Sequence, residues 1–297
     1  MRTSLLAAAL AVIAASWPAP ADAQNARAVR KTAEATMRLS GMISIAADGS
    51  VSGYTIDRKD QVSPEALELM AQTVPHWRFQ PVLIDGTPTH IKTSMQLRLQ
   101  ARPEGDGNYR LSVAGTHFGE QSGRGDAERS GQRRDTLEGE KLDPPFYPQA
   151  LIRAGGGGTA YALVRIGRDG RLEDVHIEQV NLDFVAPERD MARARELLAA
   201  SAMQGARRWT FQVPVEGKHA DRPYWVARVP VNYCMDNRPC RGNAYAKWES
   251  YIPGPRALPP AWASEALRTA GAPDSLPSSG VFPLDEAGPR LLTPVGG

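Results

Sequence analysis

Apolar and polar residues alternate along several stretches of the chain, and between these stretches apolar residues recur at helical spacing. In the first half, two alternating stretches flank Asp48-Gly49, and a helix-spaced run and a third alternating stretch, Ile91–Leu99, follow. In the second half the same succession surrounds Asp169-Gly170 and ends with Trp225–Tyr233. Alternation predicts strands with one buried face, and Asp-Gly between two of them predicts a hairpin turn. Each half is therefore predicted to form a β-hairpin, a helix and one further strand.

A short aromatic motif precedes the last strand of each half. It is Trp77-Arg78-Phe79-Gln80-Pro81 in the first half and Trp209-Thr210-Phe211-Gln212 in the second. Two residues apart in an extended segment, the Trp and Phe rings point to the same face, where large rings can anchor a sheet to its helix. The recurrence predicts that the two halves are copies of one unit. The predicted structural anchors are Trp77, Phe79, Trp209 and Phe211.

The ends of the helices and the wet face of one strand are also visible in the sequence. Ser63-Pro64-Glu65 offers an N-cap, a proline allowed in the first turn and an acidic residue near the helix N-terminus, and Pro75 ends this helix. The second helix is predicted from about Pro187 to Arg208. The predicted fold class is α+β with antiparallel sheets, each covered on one side. In the first closing strand, the residues predicted to face solvent are Lys92, Ser94, Gln96 and Arg98.

The two predicted units span residues 37–118 and 142–240. Residues 119–141, between them, are rich in Gly, Glu, Arg, Asp and Ser and almost without apolar residues. Such a composition cannot bury enough surface to offset its ordering entropy, so a flexible linker is predicted. Two short additions to the first unit are also predicted: a lead-in helix over Asn25–Ala35 and an extra strand over Tyr109–Val113.

The chain after residue 240 is rich in proline and is predicted to form a mostly irregular tail over residues 241–297. One or two helical turns are expected at Ala261 to Ala270. Because Trp248, Tyr251 and Trp262 lie in this tail, we expect it to lie on a surface of the protein.

The N-terminus has the pattern of a signal peptide. It begins with Met1-Arg2, continues with an apolar run from Leu5 to Trp17, and reaches the small-residue site Ala21-Asp22-Ala23. The apolar run is shorter than a helix needs to span a bilayer. Residues 1–23 are therefore predicted to be cleaved and the mature protein to begin at Gln24 outside the cytoplasm, with an uncleaved anchor as the alternative.

Charge and cysteine content narrow the function classes. The chain has 35 Lys and Arg against 33 Asp and Glu, a net charge of +2. This charge does not indicate a nucleic-acid binder, which would need a clustered basic face. Its two cysteines, Cys234 and Cys240, are predicted to form a disulfide, since an exported chain passes through an oxidising compartment. Such a small ring would fix a local turn after the last strand.

The sequence contains no convincing motif of an enzyme or of a cofactor site. Gly155-x-Gly157-x-x-Ala160 precedes a predicted strand and does not open a helix, so it does not indicate a dinucleotide site. The histidines are scattered, no Gly-x-Ser-x-Gly elbow occurs, and neither cysteine has the context of a nucleophile. No catalytic, cofactor or metal residues are predicted. The run Gly155–Gly158 is interpreted as a flexible joint, with close backbone approach as the alternative.

Several features of the second unit occur together in the order and spacing of a known family. This set resembles the C-terminal domain of the TonB family, periplasmic energy transducers of Gram-negative bacteria, and the first unit resembles a partial second copy. The resemblance implies a small ββαβ fold in the periplasm. The features are Tyr147-Pro148-x-Ala150, Gly158, Asp169-Gly170, Leu182-Asp183 and Trp209-x-Phe211.

The resemblance also implies a binding mode in which the final strand pairs with an extended segment of an envelope protein or an outer-membrane TonB-dependent receptor. Pro230 within that strand indicates an edge strand. The expected function is a non-enzymatic binding or adaptor protein, with no small-molecule substrate and membrane contact only through a protein partner. The predicted partner-binding strand consists of Trp225, Ala227, Val229, Val231 and Tyr233.

Three alternatives remain open from the sequence. The strand Ile91–Leu99 is the free edge if Tyr109–Val113 does not cover it. The Pro-rich tail is a second candidate, since it can itself occupy the edge of the final strand. A genuine energy transducer that keeps its N-terminal segment as an inner-membrane anchor is the alternative function.

Overall fold

The computed structural model describes residues 34–105, 108–119, 134–217, 219–234, 244–267, 271–276, 279–284 and 288–294. The fold is α+β, with mostly antiparallel sheets and few helices. The strands are β1 (Glu34–Ile45), β2 (Val51–Ile56), β3 (Leu83–Ile84), β4 (Thr87–Pro88), β5 (Ile91–Gly105), β6 (Asn108–Phe118), β7 (Glu138–Lys141), β8 (Gly158–Gly167), β9 (Leu172–Leu182), β10 (Thr210–Gln212), β11 (Tyr224–Tyr233), β12 (Glu249–Tyr251) and β13 (Phe282–Pro283). The helices are α1 (Pro64–Thr73), α2 (Gln149–Ala154), α3 (Glu188–Ala206) and α4 (Ala261–Leu267).

The first sheet is built around β1. This strand forms the hairpin with β2 and pairs antiparallel with β5 from Ala35 opposite Ala101 to Ile45 opposite Ile91. Strand β6 covers the other side of β5, and β12, from the tail, pairs with the first residues of β1. Helix α1 lies over this sheet, and their shared core includes Met37, Leu39, Ile43, Met70, Trp77, Phe79, Met95 and Leu97.

The second sheet has the order β13-β11-β8-β9, with every neighbouring pair antiparallel. Strands β8 and β9 form the hairpin, and α3 covers one face of the sheet. The core beneath α3 includes Ala160, Ala162, Val164, Ile166, Met191, Ala194, Leu198, Ala202, Trp209 and Phe211. All four predicted anchor residues, two in each core, are thus buried.

The Asp-Gly turn of each hairpin contacts the aromatic motif of the same half in the same way. Gly49 has a φ of 84° and Gly170 a φ of 73°, in the left-handed region that favours glycine. Their carbonyls accept hydrogen bonds from the backbone N–H groups of Phe79 and Phe211, both at 2.8 Å. A Cβ atom at Gly49 would lie 2.0 Å from the Phe79 carbonyl oxygen, and one at Gly170 would lie 2.2 Å from that of Phe211. Each turn therefore requires glycine for its φ angle and for close approach.

The prediction that Arg98 faces solvent is wrong. Its side chain is buried, and its Nη2 lies 3.2 Å from Oδ1 of Asp274 in the tail. Gln100, two residues further along β5, is buried as well. The prediction fails because the tail covers this end of the sheet, whereas Lys92, at the other end of the strand, is exposed.

Both added elements of the first unit differ from their predictions. Strand β1 already begins at Glu34, so the predicted lead-in helix is wrong for residues 34 and 35. In this region the strand has buried residues on both faces, since Thr36 is buried like Met37 and donates its hydroxyl to the Leu99 carbonyl at 3.0 Å. Alternation is therefore lost there. Strand β6 is longer than predicted and runs to Phe118.

The last residues of the predicted linker are ordered. Leu137 is fully buried, and β7 pairs with β10, the strand that carries Phe211. The linker prediction is therefore wrong for residues 137–141, while residues 120–133 lie outside the described part of the chain. The predicted signal peptide, residues 1–23, also lies outside it and stays a prediction. No helix in the described ranges is long and apolar enough to cross a membrane.

Candidate partner-binding edge

Strand β11 is held in place by a complete ladder on one side. It pairs with β8 from Tyr224 opposite Gly167 to Tyr233 opposite Gly158. The side chains of the predicted partner-binding residues point towards α3 and are all buried in the core. They are Trp225, Ala227, Val229, Val231 and Tyr233.

Two of these side chains also fix the strand by hydrogen bonds. The Trp225 indole N–H donates to the His219 carbonyl at 3.2 Å, and the Tyr233 hydroxyl donates to the Leu198 carbonyl of α3 at 3.2 Å. Burial raises the pKa of Tyr233 to about 12. Tyr147, which packs edge-to-face with ring centroids 5.5 Å apart, raises that pKa as well. Tyr233 therefore keeps its proton and its donor role at neutral pH. These residues position the strand and are not available for contact.

The backbone groups that face outward belong to the intervening residues. The Val226 carbonyl accepts a hydrogen bond from the Leu284 N–H at 2.9 Å, so it points away from β8. Because backbone groups alternate in direction along a strand, those of Tyr224, Arg228 and Pro230 also point away from β8. The backbone groups of the residues whose side chains are buried beneath α3, such as Ala227, point towards β8. The partner-binding side chains predicted from the sequence thus lie on residues whose backbone groups are used within the sheet.

Pro230 indicates which residues of β11 direct their backbone groups to the outer edge. A proline has no N–H, so in a fully paired ladder it fits where that N–H would point away from the neighbouring strand. Pro230 lies opposite Tyr161 of β8. From this position alone, the even-numbered residues of β11 could have been identified as those whose backbone faces the outer edge.

The outer edge is partly occupied by the tail. Strand β13 pairs antiparallel with β11, with Pro283 opposite Ala227 and Phe282 opposite Arg228. This strand was missed because a pairing of two residues produces no periodic pattern. The open alternative that the tail occupies this edge is therefore the arrangement observed for Ala227 and Arg228.

The second face of β11 is covered as well. Val226 packs with Leu163 of β8, Ala263 of α4 and Leu284 of the tail. Arg228 forms a bidentate ion pair with Glu178 of β9, with Nε–Oε2 at 2.7 Å and Nη2–Oε1 at 2.9 Å. Side chains on both faces of β11 are thus largely enclosed, and a partner would meet mainly its backbone.

The other candidate edge, in the first sheet, is covered over part of its length. Strand β6 pairs with β5 from Met95 opposite Phe118 to Gly105 opposite Asn108. Within the strand Ile91–Leu99, which lies in β5, the part from Met95 to Leu99 therefore pairs with β6, and the Gly119 N–H donates to the Ser94 carbonyl at 3.1 Å.

Two residues of the family pattern, Tyr147 and Asp183, meet at the glycine run before β8. The Tyr147 hydroxyl donates to the Gly156 carbonyl at 2.7 Å, and the Gly157 N–H donates to Asp183 Oδ1 at 2.9 Å. A Cβ atom at Gly157 would lie 2.4 Å from the Tyr233 carbonyl oxygen. Close backbone approach, the alternative to a flexible joint, therefore describes this run.

The remaining site predictions concern cysteine and metals. Cys234 lies directly after β11, but Cys240 lies outside the described residues, so the disulfide stays a prediction. In the parts of the chain that the structure describes, no group of three or more His, Cys, Asp and Glu side chains is arranged to hold a metal ion.

Comparisons with known proteins agree with the predicted resemblance. No family model matches the chain. It is 31% identical over 101 residues to Protein TonB from two strains of Xanthomonas campestris pv. campestris, a match that covers 34% of this chain. The chain thus spans only 39% of the length of these curated relatives. A solution NMR structure of the Pseudomonas aeruginosa TonB C-terminal domain matches 35% of this chain and 90% of that chain, at 22% identity and a TM-score of 0.23. The similarity in sequence confirms the predicted resemblance to the TonB family.

Proposed function

We propose that this chain is a non-enzymatic binding or adaptor protein of the bacterial envelope that pairs through β11 with an extended segment of another envelope protein. The partner class is an envelope protein or a segment of an outer-membrane TonB-dependent receptor, and the place of action is the periplasm. The two units are copies of one TonB-like fold, and the closing strand of the second is the proposed binding edge, since in the described residues β13 pairs with two of its ten residues on the outer side.

One observation carries this proposal: in the described residues, β11 pairs fully with β8 on one side and with two residues of β13 on the other. An edge strand offers backbone donors and acceptors to which an extended peptide can add a strand. Since both faces of β11 are enclosed, recognition at this position would depend mainly on the backbone. In the first unit the matching strand β5 is covered from Met95 to Gly105 by the eleven-residue strand β6.

The test is capture of a partner from cell envelopes by chemical crosslinking, with Tyr224→Pro compared with Tyr224→Ala. The backbone N–H of Tyr224 points to the outer edge, so proline there removes a donor without removing a bond to β8. Alanine removes the same side chain and keeps the donor. We expect Tyr224→Pro to reduce capture and Tyr224→Ala to leave it near wild type, with circular dichroism confirming that both variants fold. Equal capture by the two variants would remove β11 as the site.

The alternative function is energy transduction with the N-terminal segment kept as an inner-membrane anchor. The N-terminal sequence decides between the two functions, since an adaptor of the periplasm is expected to begin at Gln24. Mass spectrometry of the protein purified from its native envelope measures this directly. Intact Met1–Ala23 together with membrane association would support the transducer.

A further inference from the structure

The segment Val281–Leu284 lies along the outer edge of β11 as a short antiparallel strand. It pairs through Phe282 and Pro283, and the Leu284 N–H donates to the Val226 carbonyl at 2.9 Å. Only 1% of Val281, 1% of Phe282 and 6% of Leu284 is exposed. The tail therefore occupies this part of the edge with both its backbone and its side chains.

The side chains of this segment are buried on both faces of the sheet. Phe282 contacts the His117 ring edge-to-face, with ring centroids 5.7 Å apart. Leu284 packs with Leu163, Val226 and Ala263. On the other face, Val281 belongs to the core beneath α3.

We infer that Val281–Leu284 is an internal substitute for the partner segment, and that the partner is an extended chain that runs antiparallel to β11 with large apolar residues at alternating positions. These residues would replace Phe282 and Leu284. This inference rests on the proposed function, because it names the class of partner for the same edge.

The geometry of β13 fixes three properties of this partner. It runs antiparallel because β13 does. It carries an apolar residue at the Leu284 position, since an unpaired charge buried among Leu163, Val226 and Ala263 is unfavourable, and an aromatic residue at the Phe282 position, where the His117 ring lies edge-to-face. It tolerates proline between them, because Pro283 lies opposite Ala227, whose backbone groups point towards β8, so an N–H at position 283 would have no acceptor on β11.

The length of the contact explains how a partner could displace the tail. Strand β11 has ten residues, and β13 pairs with two of them. A partner that supplies the same apolar side chains and a longer strand would form more backbone hydrogen bonds at the same edge. The tail thus blocks peptides that lack the apolar pattern and yields to those that have it.

The test uses a fluorescent peptide of the tail's own sequence, residues 279–290, and three forms of the full chain. Wild type is expected to bind it weakly. Phe282→Asp should unseat the internal strand and bind at least tenfold more tightly. The double substitution Ala227→Cys with Pro283→Cys locks the strand in place, because residues in a non-hydrogen-bonded pair have Cα atoms about 4.5 Å apart, within the range for a disulfide. The oxidised lock should show no binding, and reduction should restore the wild-type level.

Controls separate this inference from the proposed function. A peptide with Phe282→Asp should not bind any of the three forms. Peptide binding to wild type is also measured with and without reductant, to control for reduction of Cys234 and Cys240. Binding of the peptide to the oxidised lock as tightly as to wild type would overturn the inference, and so would failure of a folded Phe282→Asp chain to bind. If Phe282→Asp does not fold, peptide binding to the oxidised and reduced forms of the double-cysteine chain still tests the inference. Capture of an envelope partner equally by locked and wild-type chains would overturn the inference while leaving the proposed function intact.

Discussion

At the scale of single residues, the buried ion pair between Arg228 and Glu178 connects β11, β9 and the tail. Besides its two bonds to Glu178, Arg228 donates from Nη1 to the Gly271 carbonyl at 2.7 Å. Both side chains of the pair are almost fully buried. The carboxylate and the carbonyl compensate the cost of burying the arginine charge, but removing either member of the ion pair leaves the charge of the other buried and unpaired.

Replacing Glu178 with alanine is expected to lower the free energy of unfolding by about 3 to 5 kcal/mol, because it leaves the Arg228 charge buried without its carboxylate. Urea denaturation measures this change. The exposed pair Arg193–Glu196 is the matched control, and Glu196→Ala should cost no more than about 1 kcal/mol. Equal effects at the two positions would contradict the expected role of burial.

His117 is a second residue with a measurable consequence, because its environment favours the neutral ring. Burial lowers its pKa to about 4, and the positive charge of Arg228 lowers it as well. In the unfolded chain the pKa is near 6.5. Between these two values the unfolded chain takes up a proton that the folded chain does not. This contribution to stability is therefore complete above pH 6.5 and is lost as the pH falls towards 4.

The expected loss at His117 is at most about 3 kcal/mol, from the difference between the two pKa values. Urea denaturation at pH 7 and at pH 4.5 measures it. Since carboxylates titrate in the same range, the relevant quantity is the difference between wild type and His117→Gln. A pH dependence as steep in His117→Gln as in wild type would show that another group is responsible.

At the scale of elements, local sequence patterns predicted those helices and turns whose geometry depends on residues close together in the sequence. The hairpins at Asp48-Gly49 and Asp169-Gly170 and the first helix could be predicted, since turn geometry and capping act within a few residues. The outward direction of the backbone in β11 was missed, although Pro230 indicates it. Strands β7 and β13 could not be predicted, because their partners β10 and β11 lie far away in the sequence.

The Asp-Gly turns support a prediction about the contact between each hairpin and its aromatic motif. Gly170→Ala is expected to be destabilising by roughly 3 kcal/mol, since alanine meets both the positive φ and the Phe211 carbonyl oxygen. Gly86→Ala is the matched control. Its φ is 78°, but a Cβ there meets no atom within 4 Å, so it should cost only about 1 kcal/mol. An equal decrease in the thermal unfolding midpoint for both variants would mean that the close contact to Phe211 does not contribute to stability.

At the scale of the whole molecule, the tail connects the two sheets. Strand β12 pairs with β1, and Ile252, the next residue, forms a bridge with Leu182 of β9. Asp274 pairs with Arg98 of the first sheet. After β13 has paired with β11, the Leu292 N–H donates to the Arg78 carbonyl of the first unit at 2.7 Å.

This path could not be predicted from the sequence. Proline content predicted an irregular tail, and most of the tail is irregular in the described residues. The contacts that fix it are isolated bridges and single buried side chains such as Phe282 and Leu284, which give no periodicity. The Arg98 error has the same origin, since only the folded tail places Asp274 beside that side chain.

Removal of residues 271–297 is therefore expected to destabilise both sheets. The truncation takes Asp274 from the buried charge of Arg98 and opens the sites of Val281, Phe282 and Leu284. With about 1.5 to 3 kcal/mol for each buried apolar side chain, and about 2 to 4 °C for each kcal/mol in a protein of this size, the midpoint should fall by roughly 10 °C or more.

Differential scanning calorimetry tests this coupling. The truncated chain should unfold at a lower midpoint and in a broader transition than the full chain, because it loses the contacts that residues 271–297 make with both sheets and keeps those of β12 and Ile252. Leu258→Ala is the control within the same tail, since this side chain is 90% exposed and should leave the curve unchanged. If the truncated chain kept the transition width and midpoint of the full chain, the tail would not couple the two sheets, and β13 would contribute too little to keep a partner from the edge of β11.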